Sequence, residues 1–280
     1  MADTNARDTR SARFSMIGGN PNVTEPGPLV IIGGHEDKGR DPDILQRVMD
    51  MAGGRDAVIG VVPTASSDEV GMARLYAEVF SALGAERVER FMLADRSAAD
   101  NPGLAQALDR VTGVFFTGGD QLRITSTLGG TFFHRYLKKR HQAGAVVAGT
   151  SAGASIMSAT MIVGGDAEAT PARNTVQMAA GMGFWSGAVV DQHFSERGRI
   201  GRLLSALAQN PSVLGVGIDE NTAIEVNLST ESFCVWGQST VTVLDGQQVL
   251  ATNASESEPD QPLALSHVLL HVLPRGWAYS

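Results

Sequence analysis

The sequence has a single cysteine, Cys234, among its 280 residues, and it carries fewer basic than acidic side chains. One cysteine cannot form an internal disulfide, which excludes a disulfide-framework protein and favours a reducing compartment. The 22 lysines and arginines and the 30 aspartates and glutamates give a formal net charge of −8. This charge argues against a nucleic-acid partner, because no excess of positive side chains is available to follow phosphates.

Long apolar runs are also missing. The first 28 residues contain none long enough for the core of a signal peptide, so we expect residues 1–27 to form a polar arm and the protein to be cytoplasmic. Residues 142–165 carry no charge, but Gly, Ala, Ser and Thr dominate there instead of Leu, Ile and Phe. We therefore predict no membrane segment, and in its place a buried strand, a tight turn and a small-residue helix.

Apolar strand-like runs alternate with longer amphipathic segments from residue 28 to residue 219. Nearly continuous apolar strands in a βαβα order are typical of a parallel sheet with helices on both faces. The predicted strands are 28–34, 57–63, 88–93, 113–118, 144–149, 188–193 and 213–219, and the predicted helices are 42–52, 68–83, 101–110, 121–142 (one or two helices) and 195–209. We predict an α/β fold with a mostly parallel, doubly wound sheet.

Short alternating runs replace this rhythm after Thr222. They lie at 223–227, 232–237, 240–244 and 264–273, and they predict C-terminal antiparallel strands. No internal repeat or sharp linker separates them from the rest of the chain. We therefore expect one α/β domain over residues 28–280.

Glycine is in excess, with 32 residues or about 11% of the chain against a usual share near 7%. Glycine-rich or polar segments follow predicted strands at 33–38, 117–121, 149–154, 191–193 and 217–222. In open α/β sheets, ligands bind at the carboxyl ends of the strands. We therefore expect the functional site where these segments meet.

Residues 149–153, Gly-Thr-Ser-Ala-Gly, match the G-x-S-x-G pattern between a predicted strand and a predicted helix. In that context the pattern indicates a sharp nucleophile-elbow turn that lifts the hydroxyl of Ser151 into the cleft. The alternative is a glycine-rich turn without chemistry. If Ser151 is a nucleophile, its oxyanion needs two N–H donors. Ala152 is suited to supply one, and the Gly118–Gly119 turn, preferably through Gly119, is suited to supply the other.

A serine nucleophile needs a base, and six histidines are present. His193 is favoured because it ends a buried strand after the Ser151 turn, and His35, at the end of the first strand, competes with it. For His193 the alternative is a histidine whose hydrogen bonds are satisfied within the core. The remaining four lie on a basic helical segment or in the last strand-like run: His134, His141, His267 and His271.

The acid that orients the base has three candidates, Asp191, Asp219 and Glu220. Asp191 shares a strand face with His193 and is also suited to substrate binding, whereas Glu220 follows the next strand end, a suitable place to hold His193. The resulting order, Ser–His–Glu, differs from the Ser–acid–His order of α/β-hydrolases. It matches the class I glutamine amidotransferase-like group.

Five segments together resemble the cyanophycinase branch of the S51 serine peptidases: IIGGHEDK (31–38), FFTGGDQLRI (115–124), AGTSAGAS (148–155), DQHFSERGRIGRL (191–203) and GIDENTA (217–223). The resemblance implies a flavodoxin-like, class I glutamine amidotransferase-like fold with Ser151 as nucleophile, His193 as general base and Glu220 as its partner. It also implies a homodimer and a mechanism without metal or other cofactor. His35 occupies the variable position of the first segment, and its role stays open.

Aspartyl dipeptidases of the same family share the serine turn, so the choice of substrate depends on other residues. In the cyanophycinase branch, the positions that line the binding site correspond to Gln121, Asp191, Gln192, Arg197, Arg199 and Arg202. Cyanophycin has a poly-aspartate backbone with an arginine on each β-carboxylate, so its site needs both signs of charge. The planar guanidinium of an arginine side chain is suited to bind a substrate carboxylate through two hydrogen bonds. Asp191 or Glu168 is the candidate to bind the substrate guanidinium. The alternative for the three arginines is a solvent-exposed helix face.

We therefore expect a serine exopeptidase that releases β-aspartyl-arginine dipeptides from the polymer through an acyl-enzyme on Ser151. A first alternative is another S51 peptidase acting on small aspartyl or β-aspartyl peptides, which would not depend on the three arginines. A second is a non-enzymatic binding or regulatory domain, in which Ser151 would be dispensable.

Overall fold

The computed structural model describes residues 25–165 and 170–280. Residues 1–24, which make up most of the expected polar arm, and Glu168 lie outside the described residues. The strands are β1 (Leu29–Ile32), β2 (Val58–Val62), β3 (Arg87–Arg90), β4 (Gly113–Phe116), β5 (Val146–Thr150), β6 (Thr160–Gly165), β7 (Val176–Ala180), β8 (Ala188–Gln192), β9 (Leu214–Ile218), β10 (Thr222–Asn227), β11 (Ser232–Gly237), β12 (Thr240–Asp245), β13 (Ala251–Thr252), β14 (Leu265–Ser266), β15 (Leu269–Pro274) and β16 (Ala278–Tyr279). The helices are α1 (Asp43–Met51), α2 (Glu69–Ala82), α3 (Arg96–Ala99), α4 (Ala105–Arg110), α5 (Gln121–Leu128), α6 (Phe132–Gln142), α7 (Ala152–Ser155) and α8 (Ile200–Gln209).

The largest sheet has the strand order β16-β11-β10-β1-β5-β4-β2-β3. The strands from β1 to β3 in this order pair in parallel. On the other side of β1, the strands β10, β11 and β16 extend the sheet through antiparallel pairs. The predicted α/β fold, with a mostly parallel sheet and C-terminal antiparallel strands, is confirmed.

Both faces of this sheet are covered. In β1, Leu29 and Ile31 belong to one apolar cluster and Val30 and Ile32 belong to another, as expected for side chains that alternate between the faces of a strand. Helices α5, α6 and α7 contribute to the first cluster, and α1 and α2 contribute to the second. Burial on both faces explains why the sequence of such a strand is apolar without interruption.

Two strands that the sequence analysis placed with the parallel strands lie in a separate sheet. β8 and β9 pair in parallel with each other, and β9 pairs antiparallel with β12 in a four-stranded sheet of order β15-β12-β9-β8. They do not extend the parallel sheet; the strand that follows β1 in that sheet is the antiparallel β10. The carboxyl ends of β8 and β9 nevertheless reach the same region, since the N–H of His193 donates to the carbonyl oxygen of Gly33 at 2.8 Å.

Local backbone geometry explains the other differences. Helix α8 begins at Ile200 instead of residue 195, because Gly198 takes a left-handed φ of +59°. The predicted helical segment 121–142 divides into α5 and α6, and β6 and β7 form an antiparallel hairpin in a region expected to be irregular. Within the described residues, no helix combines the length and the apolar character that a membrane crossing requires.

Candidate active site

Ser151 lies in the sharp turn between β5 and α7, at the carboxyl end of the parallel strands. Its backbone has φ +53° and ψ −110°, a conformation that residues other than glycine rarely adopt. The N–H of Ser151 donates to the carbonyl oxygen of Ile32 at 3.0 Å. A Cβ at Gly153 would lie 2.4 Å from the carbonyl oxygen of Phe116, so glycine is needed for this close approach to β4. The turn holds a half-buried hydroxyl where three strand ends meet.

The structure brings Ser151, His193 and Glu220 together in a line. Ser151 Oγ lies 2.9 Å from His193 Nε2, and His193 Nδ1 lies 2.6 Å from Glu220 Oε1. His193 follows β8 and Glu220 follows β9, so two neighbouring strand ends supply the imidazole and the carboxylate. Such an arrangement is able to pass a proton from the hydroxyl to the imidazole while the carboxylate stabilises the resulting imidazolium.

Asp219, another candidate acid, has different partners. Its carboxylate accepts hydrogen bonds from the hydroxyls of Ser239 and Thr240, both at 2.8 Å, and from the N–H of Ser195 at 3.0 Å. Burial raises the pKa of Asp219, but these hydrogen bonds outweigh burial, and the pKa is lowered. Asp219 therefore ties the end of β9 to β12 and to the loop that follows His193.

Glu220 also contacts His35, which the sequence analysis kept as a competing base. His35 Nδ1 lies 2.7 Å from Glu220 Oε2, and the rings of His35 and His193 meet edge to face with centroids 5.0 Å apart. Within the described residues, Ser151 Oγ has hydrogen-bond partners in His193 and Gln192, so His193 is the imidazole that contacts the hydroxyl. His35, His193 and Glu220 each offer a ligand atom, and these atoms lie within 4.8 Å of one another.

The charges of this group follow from its surroundings. Burial lowers the pKa of His193 below its ordinary value of 6.5; the hydrogen bond with Glu220 opposes this effect, and the positive charge of Arg197 adds to it. For Glu220, burial raises the pKa, but hydrogen bonds from His193 and His35 outweigh burial and the pKa is lowered. Near neutral pH the site therefore holds a neutral imidazole beside an ionised carboxylate.

The Gly118–Gly119 turn lies beside the Ser151 hydroxyl. A Cβ at Gly118 would lie 3.9 Å from Ser151 Oγ, and a Cβ at Gly119 would lie 2.1 Å from the carbonyl oxygen of Ala65. Gly119 has φ +142°, which also favours glycine. In the described part of the chain, the N–H groups of Gly119 and Ala152 donate to no backbone acceptor. Both donors are thus available near the hydroxyl.

Three of the residues expected to bind substrate form a buried group, which we call the arginine cluster: Asp191, Arg199 and Arg202. Their exposed fractions are 1%, 7% and 6%, so Arg199 and Arg202 do not lie on a solvent-exposed helix face. Arg202 Nε lies 2.6 Å from Asp191 Oδ2, and Arg199 Nη1 lies 3.4 Å from Asp191 Oδ1. Burial lowers the pKa of Arg199 to about 10, although Asp191 opposes this effect. Arg199 also donates to the carbonyl oxygen of Gln192, so the cluster holds the backbone just before His193.

The other three expected substrate residues differ in exposure. Gln192 is buried, and its Oε1 lies 3.4 Å from Ser151 Oγ. Gln121 Nε2 donates to the carbonyl oxygen of Ile162 at 3.0 Å, which joins α5 to β6. Arg197 is exposed, near enough for its charge to act on His193. Gln192 thus contacts the Ser151 hydroxyl, and the charge of Arg197 acts on His193.

A buried carboxylate that was not among the predicted site residues lies beneath the serine turn. Glu36 is 3% exposed; it accepts a hydrogen bond from Thr150 Oγ1 at 2.5 Å and another from the hydroxyl of Tyr76, and Lys38 Nζ lies 3.0 Å from its Oε1. Burial, together with the charge of Glu36, raises the pKa of Tyr76 well above its ordinary value. Because Thr150 directly precedes Ser151, this group braces the turn. The only signal in the sequence was an acidic residue inside the glycine segment 33–38.

Comparison with known proteins gives the family. A sequence model of Peptidase family S51 matches residues 29–232. The chain is 40% identical to the cyanophycinase of Geminocystis herdmanii (strain PCC 6308) over 253 residues, which cover 90% of this chain and 93% of that relative. It is 38% identical to the cyanophycinase of Thermosynechococcus vestitus (strain NIES-2133 / IAM M-273 / BP-1) over 255 residues, which cover 91% of this chain and 79% of that relative.

Solved structures agree on the fold. A peptidase from an acI-B1 Actinobacterium superposes with a TM-score of 0.69 at 21% identity, over 92% of this chain and 98% of that one. A putative peptidase E protein from Listeria monocytogenes EGD-e superposes with a TM-score of 0.53 at 16% identity, over 76% of this chain and all of that one (100%). Because the family model matches residues 29–232 and the chain covers 93% of a relative at 40% identity, the protein belongs to peptidase family S51.

Proposed function

We propose that this peptidase is a serine exopeptidase that hydrolyses cyanophycin and releases β-aspartyl-arginine dipeptides, with residues 28–280 as one hydrolytic domain. The observation that carries the proposal is the line of contacts from Ser151 Oγ through His193 to Glu220 Oε1, at 2.9 and 2.6 Å. The relatives named cyanophycinase, at 40% and 38% identity, support the choice of substrate.

The reaction is an acyl transfer through an ester of Ser151. His193 Nε2 accepts the hydroxyl proton as Ser151 Oγ attacks an amide carbon of the polymer, and the N–H groups of Gly119 and Ala152 donate to the oxyanion. His193 then protonates the leaving amine and the C–N bond breaks. Water then attacks the ester with His193 again as base, the C–Oγ bond breaks, and His193 returns the proton to Ser151 Oγ. Glu220 stays ionised and stabilises each imidazolium. These residues and water supply every proton and electron pair, so the proposal includes no metal or other cofactor.

Each dipeptide unit of the polymer carries a carboxylate and a guanidinium. Arg197, exposed beside His193, is suited to bind the carboxylate. The 3.4 Å contact between Gln192 Oε1 and Ser151 Oγ supports a role for Gln192 at the bond that Ser151 attacks. The arginine cluster carries two positive charges and one negative charge, and it contributes by holding the backbone of Gln192. Gln121 contributes through the position of α5 at the edge of the site.

The test is digestion of insoluble cyanophycin by the purified protein, with the soluble products identified by mass spectrometry. We expect β-aspartyl-arginine from the wild type. Parallel reactions contain small aspartyl and β-aspartyl peptides. Hydrolysis of those peptides without release of dipeptide from the polymer would instead support the alternative S51 activity, and no hydrolysis of either would support a binding or regulatory domain.

The pH dependence of kcat/KM reports the protonation of the free enzyme. Since the neutral form of His193 is the base and its pKa is lowered, we expect activity to fall with decreasing pH through a midpoint below 6.5. The hydrogen bond to Glu220 raises the pKa of His193, so Glu220→Gln should move that midpoint to a still lower pH as well as reduce the rate. Initial rates across acidic and neutral pH check both expectations, and a midpoint that moves upward in the variant would contradict them.

We further propose that the protein is a homodimer of the cytoplasm, the compartment that its single cysteine favours. Leu270 and Val272, on the edge strand β15, are 51% and 55% exposed, and Trp277 is 61% exposed. An apolar edge of this kind is suited to a second copy of the chain. Light scattering coupled to gel filtration should give twice the mass of one chain, and Leu270→Glu with Val272→Glu should give the monomer. A wild type of single-chain mass would contradict the dimer.

A further inference from the structure

The loop that carries His35 and the loop that carries Glu220 are joined by several hydrogen bonds. The N–H of Gly33 donates to the carbonyl oxygen of Thr222 at 2.9 Å. The N–H of Asn221 donates to the carbonyl oxygen of Gly34 at 2.8 Å. The N–H of Asp37 donates to Asn221 Oδ1 at 2.9 Å. The backbone on both sides of His35 is therefore fixed relative to the backbone on both sides of Glu220.

The backbone conformation of His35 is uncommon among residues other than glycine. Its φ is +49°, in the left-handed region where glycine costs least, and its side chain is 70% exposed. An exposed side chain in that conformation gains little from packing. An unfavourable backbone conformation that persists in an active site points to a role for the side chain it presents.

Within the described residues, the polar partner of this side chain is the carboxylate of Glu220. His35 Nδ1 lies 2.7 Å from Oε2, while Oε1 lies 2.6 Å from His193 Nδ1. Glu220 is itself 26% exposed at its side chain, so without His35 its second oxygen would face water and the carboxylate would be free to rotate. Two imidazoles, one on each oxygen, fix its plane.

We propose that His35 is a positioning residue of the peptidase: it donates a hydrogen bond to the outer oxygen of Glu220 and thereby holds the inner oxygen against His193. The inference rests on the proposed roles of Ser151, His193 and Glu220. It assigns no contact with substrate to His35. An exposed pair such as His35 and Glu220 adds little to the free energy of unfolding. The loss of this pair should therefore lower kcat more than it lowers stability.

The test compares His35→Gly with His35→Asn. Glycine removes the donor and also the backbone strain, and asparagine keeps an amide N–H at the place of Nδ1 in a residue that tolerates the left-handed region. We expect His35→Gly to lower kcat about 3- to 10-fold with KM unchanged and with no loss of thermal stability. We expect His35→Asn to regain most of the wild-type kcat. A loss confined to KM, a wild-type kcat in His35→Gly, or an equal loss in both variants would overturn the proposal.

A second readout separates this inference from the choice of substrate. A fluorophosphonate that labels activated serines requires the Ser–His–Glu line but no cyanophycin. If the wild type releases no dipeptide, the proposed function fails, and the labelling rates of the two His35 variants still decide the role of His35. The expected order of rates is wild type, then His35→Asn, then His35→Gly. Equal labelling rates for all three would overturn the inference.

Discussion

Replacing Ser151 by alanine is expected to reduce dipeptide release from cyanophycin about 10⁴- to 10⁶-fold, because the nucleophile of the acyl transfer is lost. The residual rate would come from substrate binding and from the N–H donors of Gly119 and Ala152, which the substitution leaves in place. Initial rates measured by mass spectrometry of the soluble products check this expectation.

Ser126→Ala is the matched control for Ser151→Ala. Ser126 is an exposed serine of α5 whose hydroxyl donates to the carbonyl oxygen of Arg123 at 3.3 Å. The control should keep the wild-type rate, and both variants should unfold at the wild-type temperature. Activity of Ser151→Ala within tenfold of the wild type would contradict the assigned mechanism.

Asp191→Asn is expected to destabilise the folded protein by about 3–5 kcal/mol, because it leaves two buried arginines without their counter-charge. Arg202 Nε lies 2.6 Å from the Asp191 carboxylate, and Arg199 Nη1 lies 3.4 Å from it. Since Arg199 also holds the backbone of Gln192, activity should fall as well. Denaturant unfolding followed by circular dichroism gives the change in the free energy of unfolding.

Glu69→Gln provides the control for this charge removal. Glu69 pairs with Arg123 at 3.2 Å, but the side chains are 21% and 43% exposed. Because pairs near the surface contribute only about 0–1 kcal/mol, this variant should unfold almost like the wild type. An Asp191→Asn variant as stable as Glu69→Gln would mean that the arginine cluster is not the stabilising unit inferred from its burial.

The meeting of Ser151, His193 and Glu220 was predictable because each residue ends a strand. Glycines at 149 and 153 indicated a sharp turn between a strand and a helix, and the apolar runs before His193 and Glu220 indicated strands that end near it. Which acid would orient the imidazole was not decided by spacing alone. The structure distinguishes the three candidate acids. Asp219 is bound by hydroxyls and Asp191 by arginines, whereas Glu220 contacts His193.

The sequence did not show which strands and side chains would pair when they lie far apart along the chain. Nothing in the apolar pattern of β8 and β9 shows that β12 pairs with β9, so the second sheet could not be predicted. The same limit applies to Arg199 and Arg202, whose spacing fits an exposed helix face as well as a buried cluster. Glu36 and His35 lay in a noted glycine segment, but their partners, Thr150 and Glu220, come from distant parts of the chain.

The most direct test of the account is to identify the serine that a fluorophosphonate modifies in the folded wild-type protein. We expect one adduct, mapped by peptide mass spectrometry to Ser151, formed in step with the loss of dipeptide release. The adduct should be absent from Ser151→Ala and should form much more slowly in His193→Ala, which lacks the base. Full inactivation with an adduct on another residue, or an active protein fully labelled at Ser151, would contradict it.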